Sequence, residues 1–380
     1  MPSDLIKILI TDDSPEWRER LEDILQDMDI QLRTAAHGEE AIERYLSFQP
    51  DVLILDLNLP SMQGTDVIKY IRNQANDSEV YILSLTSEDD VDKRTQALNV
   101  GANDFLLKPF ATEEIKARIN VAKRQIRLNK QLRSAYQRIS SEIDTVASLQ
   151  EKLLPRESVS VPGLNVQAVY HPSGRASGDY YDFFPIDDHV LRAVIADVSG
   201  HGARAAFLMA IVRALIRTTD SYYLSLADAM DLVNQQLCEI IGNERDFVTL
   251  FAADVDIENK VLSYINAGQS PGVLTDSGSS YDILEPTNTV LGFFDLDFSA
   301  REIDISDKSG LFLFTDGYYE WEIIPNEQYG LESFLELISD LLKRGDFNIE
   351  ELEQELMRDK EFKPSFRDDR SAVWIRWDAK

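Results

Sequence analysis

Apolar residues in the first 120 positions fall into short continuous runs separated by stripes at helical spacing. The runs are Ile6–Ile10, Leu32–Ala35, Val52–Leu55, Val80–Leu85 and Asp104–Leu107. Between them, Trp17, Leu21, Ile24 and Leu25, then Ala41, Ile42 and Tyr45, then Val67, Ile68 and Ile71 mark single helix faces. This alternation predicts a doubly wound α/β domain with a five-stranded parallel sheet covered on both faces. Turn residues agree, because Pro60–Gly64 and Asn99–Ala102 fall between elements.

The pattern changes at about Thr112. From there to Leu154 the chain holds neither Gly nor Pro, and Leu132, Ile139, Val146 and Leu153 recur every seventh residue. Tyr136 and Ile143 take the complementary positions, so the stretch reads as one long helix with a short coiled-coil seam. Asn129 and Gln150 read as polar interruptions of that seam, and Pro155 ends the helix. Arg118, Lys123, Arg124, Arg127, Lys130 and Arg133 give its first half a basic patch, which a solvated helix face accounts for. Beyond it lie β-rich runs at Leu191–Ala196, Phe247–Asp254, Val261–Asn266, Gly310–Phe314 and Ala372–Trp377, with helical patterns at Ala203–Arg217, Leu226–Ile241 and Glu332–Leu342. Hairpin-like turns such as Asp256–Asn259 predict a mainly antiparallel α+β domain.

At 380 residues the chain has room for two or three domains, and 44% hydrophobic content is enough for ordinary cores. A formal net charge of -29 argues against nucleic acid and disfavours anionic membrane surfaces. One cysteine, Cys238, excludes a disulfide framework and a thiolate-rich zinc site, and four dispersed histidines leave little for a histidine-based one. The N-terminus lacks a basic region leading into an apolar one, and no apolar run reaches membrane-spanning length. The expectation is a soluble, reduced, cytoplasmic protein.

Two sets of aspartates carry the chemistry. Asp12 and Asp13 follow the first strand, Asp56 the third, Thr86 the fourth, and Lys108 closes the fifth. Parallel strand ends open onto one edge of the sheet, where ligands of such folds bind. Three carboxylates meeting there repel one another unless a cation sits among them, and oxygen-only ligation favours Mg²⁺. Lys108 offers a positive charge, and Thr86 a hydroxyl, to a phosphoryl group. Taken singly, Asp-Asp before Ser14-Pro15 reads as a helix N-cap and Lys-Pro as a turn. Together, "ILITDDS", "DVLILDLNLPSMQG", "LSLTS" and "GANDFLLKPF" resemble a response-regulator receiver domain, which is flavodoxin-like. The resemblance implies Asp56 as phosphoacceptor and Asp13 as direct Mg²⁺ ligand. Asp12 would act through water, and Asn58 would add its backbone carbonyl. Thr86 and Phe105 would form the switch pair, Lys108 would contact the phosphate, and a sensor histidine kinase would be the phosphodonor.

The second set is Asp179 in "SGDYYDF", Asp197 in "ADVSGHG", Asp316 in "FTDG" and Asp368 in "DDRSAV". Carboxylates at strand ends facing across a sandwich can hold two hard cations, which suits phosphoester hydrolysis. Neighbouring glycines permit close approach, and the Val198 carbonyl can complete an oxygen set. One Asp-Gly pair alone is an ordinary turn, and Asp368-Asp369 alone an acidic surface.

The joint pattern resembles the PPM (type 2C) protein phosphatases, in the bacterial SpoIIE/RsbU branch. It runs from about Leu149, where "SLQEKLLP" looks like that branch's linker ending, to the last residues. The implied fold is an antiparallel β-sandwich flanked by helices, with a dinuclear Mn²⁺ or Mg²⁺ centre. Asp197 would bridge both metals, Asp179 would serve one, and Asp316 and Asp368 the other. Asp369 and Asp182 would lie behind the ligands, and Arg175 has the spacing of a phosphate-binding arginine. His201 reads as a structural hydrogen-bonding residue or as a proton donor to the leaving oxygen. Gln269, in "NAGQSP", stands where this branch usually has histidine, which bears on local packing or substrate approach.

The expected organisation is a receiver domain at 1–120, a helical coiled-coil linker at 121–155 and a phosphatase domain at 156–380. The expected function is a response-regulated protein serine/threonine phosphatase. Its substrate would be a phosphorylated anti-sigma-factor antagonist, and it would dimerise through the linker helix. A scaffold that sequesters a partner, or a hydrolase of small phosphoesters, are the competing readings. Intact ligands argue against the first, and the lack of a glycine-rich phosphate loop against the second.

Overall fold

A computed structural model describes residues 5–87, 91–155, 161–174, 176–200, 202–220, 224–242, 244–276, 280–324, 327–345, 347–358, 366 and 368–377. The chain forms two compact units, Met1–Arg138 and Ile139–Lys380. Arg175 and His201 lie outside the described residues.

In the first unit the strands are β1 (Ile6–Thr11), β2 (Ile30–Ala35), β3 (Val52–Asp56), β4 (Tyr81–Ser87) and β5 (Asp104–Lys108). They form one parallel sheet in the order β2-β1-β3-β4-β5. The helices are α1 (Pro15–Leu25), α2 (Gly38–Phe48), α3 (Gly64–Lys69, continued as a π-helical turn to Gln74), α4 (Val91–Asn99) and α5 (Thr112–Glu151). Strand alternation sorts the side chains. Ile8 and Ile10 meet α1 and the start of α5 through Leu21, Ile24, Ile115 and Ile119. Leu9, Leu53 and Leu55 meet α2 and α3 through Ala41, Tyr45, Val67 and Ile68 on the other face. The doubly wound, flavodoxin-like prediction is met. The apolar pattern missed α4, because it buries little beyond Ala97 and leaves Leu98 exposed.

The second unit continues with β6 (Leu164–His171), β7 (Tyr180–Pro185), β8 (Val190–Val198), α6 (Ala203–Asp220), α7 (Leu226–Ile241), β9 (Val248–Asp256) and β10 (Val261–Ala267). After these come β11 (Gly272–Asp276), β12 (Tyr281–Leu284), β13 (Arg301–Asp304), β14 (Lys308–Phe314), β15 (Glu322–Ile324) and β16 (Glu327–Gln328). The last elements are α8 (Gly330–Arg344), α9 (Ile349–Met357) and β17 (Arg370–Trp377). Two antiparallel five-stranded sheets result, β13-β10-β9-β8-β7 and β12-β11-β14-β17-β6. Leu311, Leu313, Val373 and Ile375 turn into the core shared with the first sheet, α6 and α7. Phe312, Phe314, Ala372 and Trp374 alternate with them and pack under α8 and α9 against Phe334, Ile338 and Leu352. The α+β expectation holds. Sequence reading overlooked β6 because most of its residues are at least partly exposed.

Helix α5 is 40 residues long. Leu132, Tyr136 and Ile139 of the expected seam are 71%, 70% and 59% exposed, so they have little cover within the chain. Gln150 is no polar break in that seam: it is 3% exposed and hydrogen-bonds to Ser177. Among the described residues no helix is long and apolar enough to cross a membrane.

Phe312 is fully buried and meets Phe347 and Trp374 edge-on, with ring centroids 5.2 and 6.2 Å away. Phe312→Ala is expected to lower the stability of the second unit by about 3–5 kcal/mol. Denaturant unfolding followed by tryptophan fluorescence measures it.

Candidate active site

At the carboxyl edge of the parallel sheet, Asp12 and Asp56 are buried and Asp13 is exposed, and one oxygen of each lies within 4.8 Å of the others. Lys108 at the end of β5 reaches both buried members. Its Nζ donates to Asp12 Oδ2 at 2.5 Å and to Asp56 Oδ2. Burial pushes the Asp12 carboxyl up, the bond and charge of Lys108 oppose this, and the Asp56 charge adds to it. Asn58 donates its N–H to Asp56 Oδ1 at 2.8 Å, which fixes the phosphoacceptor candidate from its own loop. The Thr86 hydroxyl is buried with no hydrogen-bond partner among the described residues, and Phe105 is half-buried with the Arg94 guanidinium 5.5 Å from its ring. The helix cap here is Ser14, whose Oγ accepts from Trp17 N–H; Asp12 accepts from Ser14 N–H. Asp12, Asp13, Asp56, Asn58 and Lys108 therefore meet at one edge, and all-oxygen donors at this spacing fit a hard divalent cation.

The second set forms around the ends of β8 and β14, which belong to different sheets. Asp197 ends the apolar part of β8 opposite Thr249, and Asp316 begins a 3₁₀ turn directly after β14. Asp368 is exposed just before β17, while Asp179, just before β7, is buried. Burial, then the charges of Asp316, Asp368 and Asp369, push the Asp197 carboxyl up to about 8. Burial and then Asp368 and Glu320 raise Asp316 to about 6. Asp179 is driven well above the ordinary carboxylate range, by burial first and Asp197 second. These four groups are thus electrostatically one cluster. Among the described residues none of them forms an ion pair with lysine or arginine, and no second acidic trio converges as tightly as the receiver's. Hard oxygen donors of this kind suit Mg²⁺ or Mn²⁺.

Supporting contacts went unnoticed in the sequence. The Thr315 hydroxyl donates to Asp179 Oδ2 at 2.9 Å and accepts from Ser371 N–H at 2.9 Å, tying Asp179 to the junction of β14 and β17. Its place immediately before Asp316 was the available signal. Asp369 accepts from Ser173 N–H (2.7 Å) and Oγ (2.9 Å) and from Gly178 N–H (3.0 Å), so it grips both ends of the loop before Asp179. Asp182, expected behind the ligands, instead accepts from Tyr180 and from both Nε and Nη2 of Arg217 on α6. The backbones around the ligands are close. A Cβ on Gly178 would lie 2.7 Å from the Val198 carbonyl oxygen, and one on Gly317 would lie 2.0 Å from that of Asp369.

In the loop Asn266–Pro271, Gln269 is buried. Its Oε1 accepts from Ser270 N–H, and its Nε2 has no partner among the described residues. Ser270 Oγ lies 3.2 Å from the Tyr319 hydroxyl, three residues after Asp316, so this loop braces the turn that carries Asp316.

Residues 187–378 match the family described as Stage II sporulation protein E (SpoIIE), and residues 8–120 match the response regulator receiver domain. The chain belongs to the SpoIIE family. The phosphoserine phosphatase RsbP of Bacillus subtilis (strain 168) is 27% identical over 180 residues, 46% of this chain and 44% of that protein. Response regulator MprA of Mycobacterium ulcerans (strain Agy99) is 37% identical over 123 residues, 32% of this chain and 52% of that one. The chain thus spans about half the length of these curated relatives. The solved SiaA-PP2C domain of Pseudomonas aeruginosa superposes with a TM-score of 0.55 at 18% identity, over 64% of this chain and 99% of that domain. That likeness establishes the PPM-type fold.

Raised carboxyl values in the folded state mean that the folded chain holds protons that the unfolded chain releases. Their stabilising contribution is full below about pH 4 and is lost as pH rises through about 6 and 8. Without divalent metal, the melting temperature of the second unit is expected to fall across that window. Asp197→Asn should flatten the fall, and added Mn²⁺ should suppress it, both read by calorimetry from pH 4 to 8.5.

Proposed function

We propose that the chain is a metal-dependent protein serine/threonine phosphatase under the control of phosphorylation at Asp56. The observation that carries this reading is the cluster of Asp179, Asp197, Asp316 and Asp368, whose mutual repulsion, with burial of Asp179 and partial burial of Asp197 and Asp316, calls for divalent cations. In it Asp197 would be the ligand common to the set, Asp179 and the Val198 carbonyl would help to hold one cation, and Asp316 and Asp368 the other. Bound Mn²⁺ or Mg²⁺ supplies Lewis-acid polarisation of water and of phosphate oxygens. The chain's own part is geometric: Thr315 holds the Asp179 carboxylate, Asp369 holds the loop before it, and the loop Asn266–Pro271 holds the Asp316 turn. Arg175, four residues before Asp179 in the sequence, is the candidate contact for substrate phosphate.

In the receiver, Asp12, Asp13, Asp56 and the Asn58 carbonyl would hold Mg²⁺, and Asp56 would take the phosphoryl group from a sensor histidine kinase. Lys108, which now spans Asp12 and Asp56, is poised to pair with a phosphoryl oxygen. The unpartnered Thr86 hydroxyl has a hydrogen bond to give to the same group, with Phe105 completing the switch. The segments act as a receiver (1–120), a linker (121–155) and a phosphatase domain (156–380). The exposed seam of α5 pairs with that of a second copy, which buries Leu132, Tyr136 and Ile139. The substrate is a phosphoserine or phosphothreonine on a partner protein, of the anti-sigma-factor antagonist type, in the cytoplasm. The similarity to a phosphoserine phosphatase supports this choice over a small phosphoester.

Loss of a principal ligand is expected to cost at least about 100-fold in activity, more than loss of an outer hydrogen-bond partner. Asp316→Asn assayed on a phosphopeptide with Mn²⁺ tests it, and full activity would refute the metal centre. Beryllofluoride should change the activity of the parent chain and leave that of Asp56→Ala unaltered. Sedimentation equilibrium at micromolar concentration should give a dimer; a strict monomer would remove the seam from the account.

A further inference from the structure

We infer that Gln150, at the end of α5, is a positioning residue for the metal ligand Asp179. Its Nε2 donates to the Ser177 carbonyl at 2.7 Å, and Ser177 N–H donates back to its Oε1 at 3.2 Å. One side-chain amide thus satisfies both backbone groups of one residue, as a neighbouring strand would. Ser177 in turn accepts Asp179 N–H on its Oγ at 3.0 Å, so two hydrogen-bond steps lead from Gln150 to the ligand's backbone. Gln150, Ser177 and Asp179 are all buried, so water has no ready access to replace a lost partner.

The rest of the loop cannot take over this role. Asp369 grips it at Ser173 and Gly178 and leaves the Ser177 backbone to Gln150. The helix end is itself anchored within the second unit. Arg213 Nε donates to the Leu153 carbonyl at 2.5 Å, and Leu154 lies in the core with Val161. Seating of this last turn and orientation of the Asp179 carboxylate are therefore one event: when the turn lifts, Ser177 loses both backbone partners. Gln150 thereby sets how tightly the second unit holds divalent metal. The inference rests on the phosphatase reading only in giving Asp179 a metal to bind.

The test uses the full chain in an Asp13→Asn background, which removes the receiver's contribution to metal binding. Mn²⁺ is titrated calorimetrically, and phosphopeptide hydrolysis is followed as a function of Mn²⁺. Gln150→Met keeps the volume and removes both hydrogen bonds, and about tenfold weaker Mn²⁺ binding is expected, with kcat at saturating Mn²⁺ preserved. Gln150→Glu keeps the acceptor for Ser177 N–H but loses the donor, and it also should bind Mn²⁺ more weakly. Melting without metal checks folding, and if the methionine variant does not fold, the glutamate variant decides. Mn²⁺ affinity within about twofold of the parent, or a kcat loss that no Mn²⁺ restores, would overturn the positioning role. If the parent binds Mn²⁺ but hydrolyses nothing, the phosphatase reading fails while the calorimetry still decides the role of Gln150.

Discussion

Carboxylates withdrawn from water repel each other and resist ionisation unless positive charge lies close by, and both units of this chain are organised around that conflict. The receiver answers part of it internally, because Lys108 reaches across to Asp12 and Asp56. The second unit gathers Asp179, Asp197, Asp316 and Asp368 with no described lysine or arginine paired to them. The difference follows from chemistry. A receiver must release its phosphoryl contacts repeatedly, and a flexible amine is suited to exchanging partners. In the proposed function, a divalent cation in an oxygen cage would supply the fixed charge of the hydrolytic site.

Much of the receiver was legible because its strands are buried on both faces and read as unbroken apolar runs, each ending where chemistry begins. Residues at parallel strand ends share one edge by topology alone, so Asp12, Asp56, Thr86 and Lys108 could be brought together before any coordinates. Helix α4 was not legible, since a helix that buries little beyond Ala97 leaves too faint a stripe. In the second unit the apolar strands around Asp197 and Asp316 were plain. The peripheral β6 and the short strands β12 and β13 were not, since their alternation is weak and partly solvated.

The candidate site was legible in its aspartates and opaque in their supports. Aspartates beside glycine at strand ends announce themselves locally. Thr315 to Asp179, Asp369 to Ser173 and Gln150 to Ser177 span 136, 196 and 27 residues, and no spacing rule connects them. Gln150 shows the failure well. On a heptad count it is a polar fault in an apolar seam, because periodicity reports which way a side chain points and not what it meets there. Asp182 shows the converse, since the family resemblance implied a place behind the ligands. Strand direction sends it instead to Arg217, beneath α6.

The two glycines beside the ligands give the centre an unusual kind of fragility. Gly178 and Gly317 sit where main chain runs against main chain, and even a methyl group at either would meet a carbonyl oxygen within 3 Å. Here the wall of the site is backbone, which has no alternative rotamers with which to absorb an intrusion. Sequence drift is therefore most restricted at residues that carry no functional group at all. Redesign of substrate preference has its freedom in the surrounding loops, while the seam between β8, the turn after β14 and the start of β17 must be inherited whole.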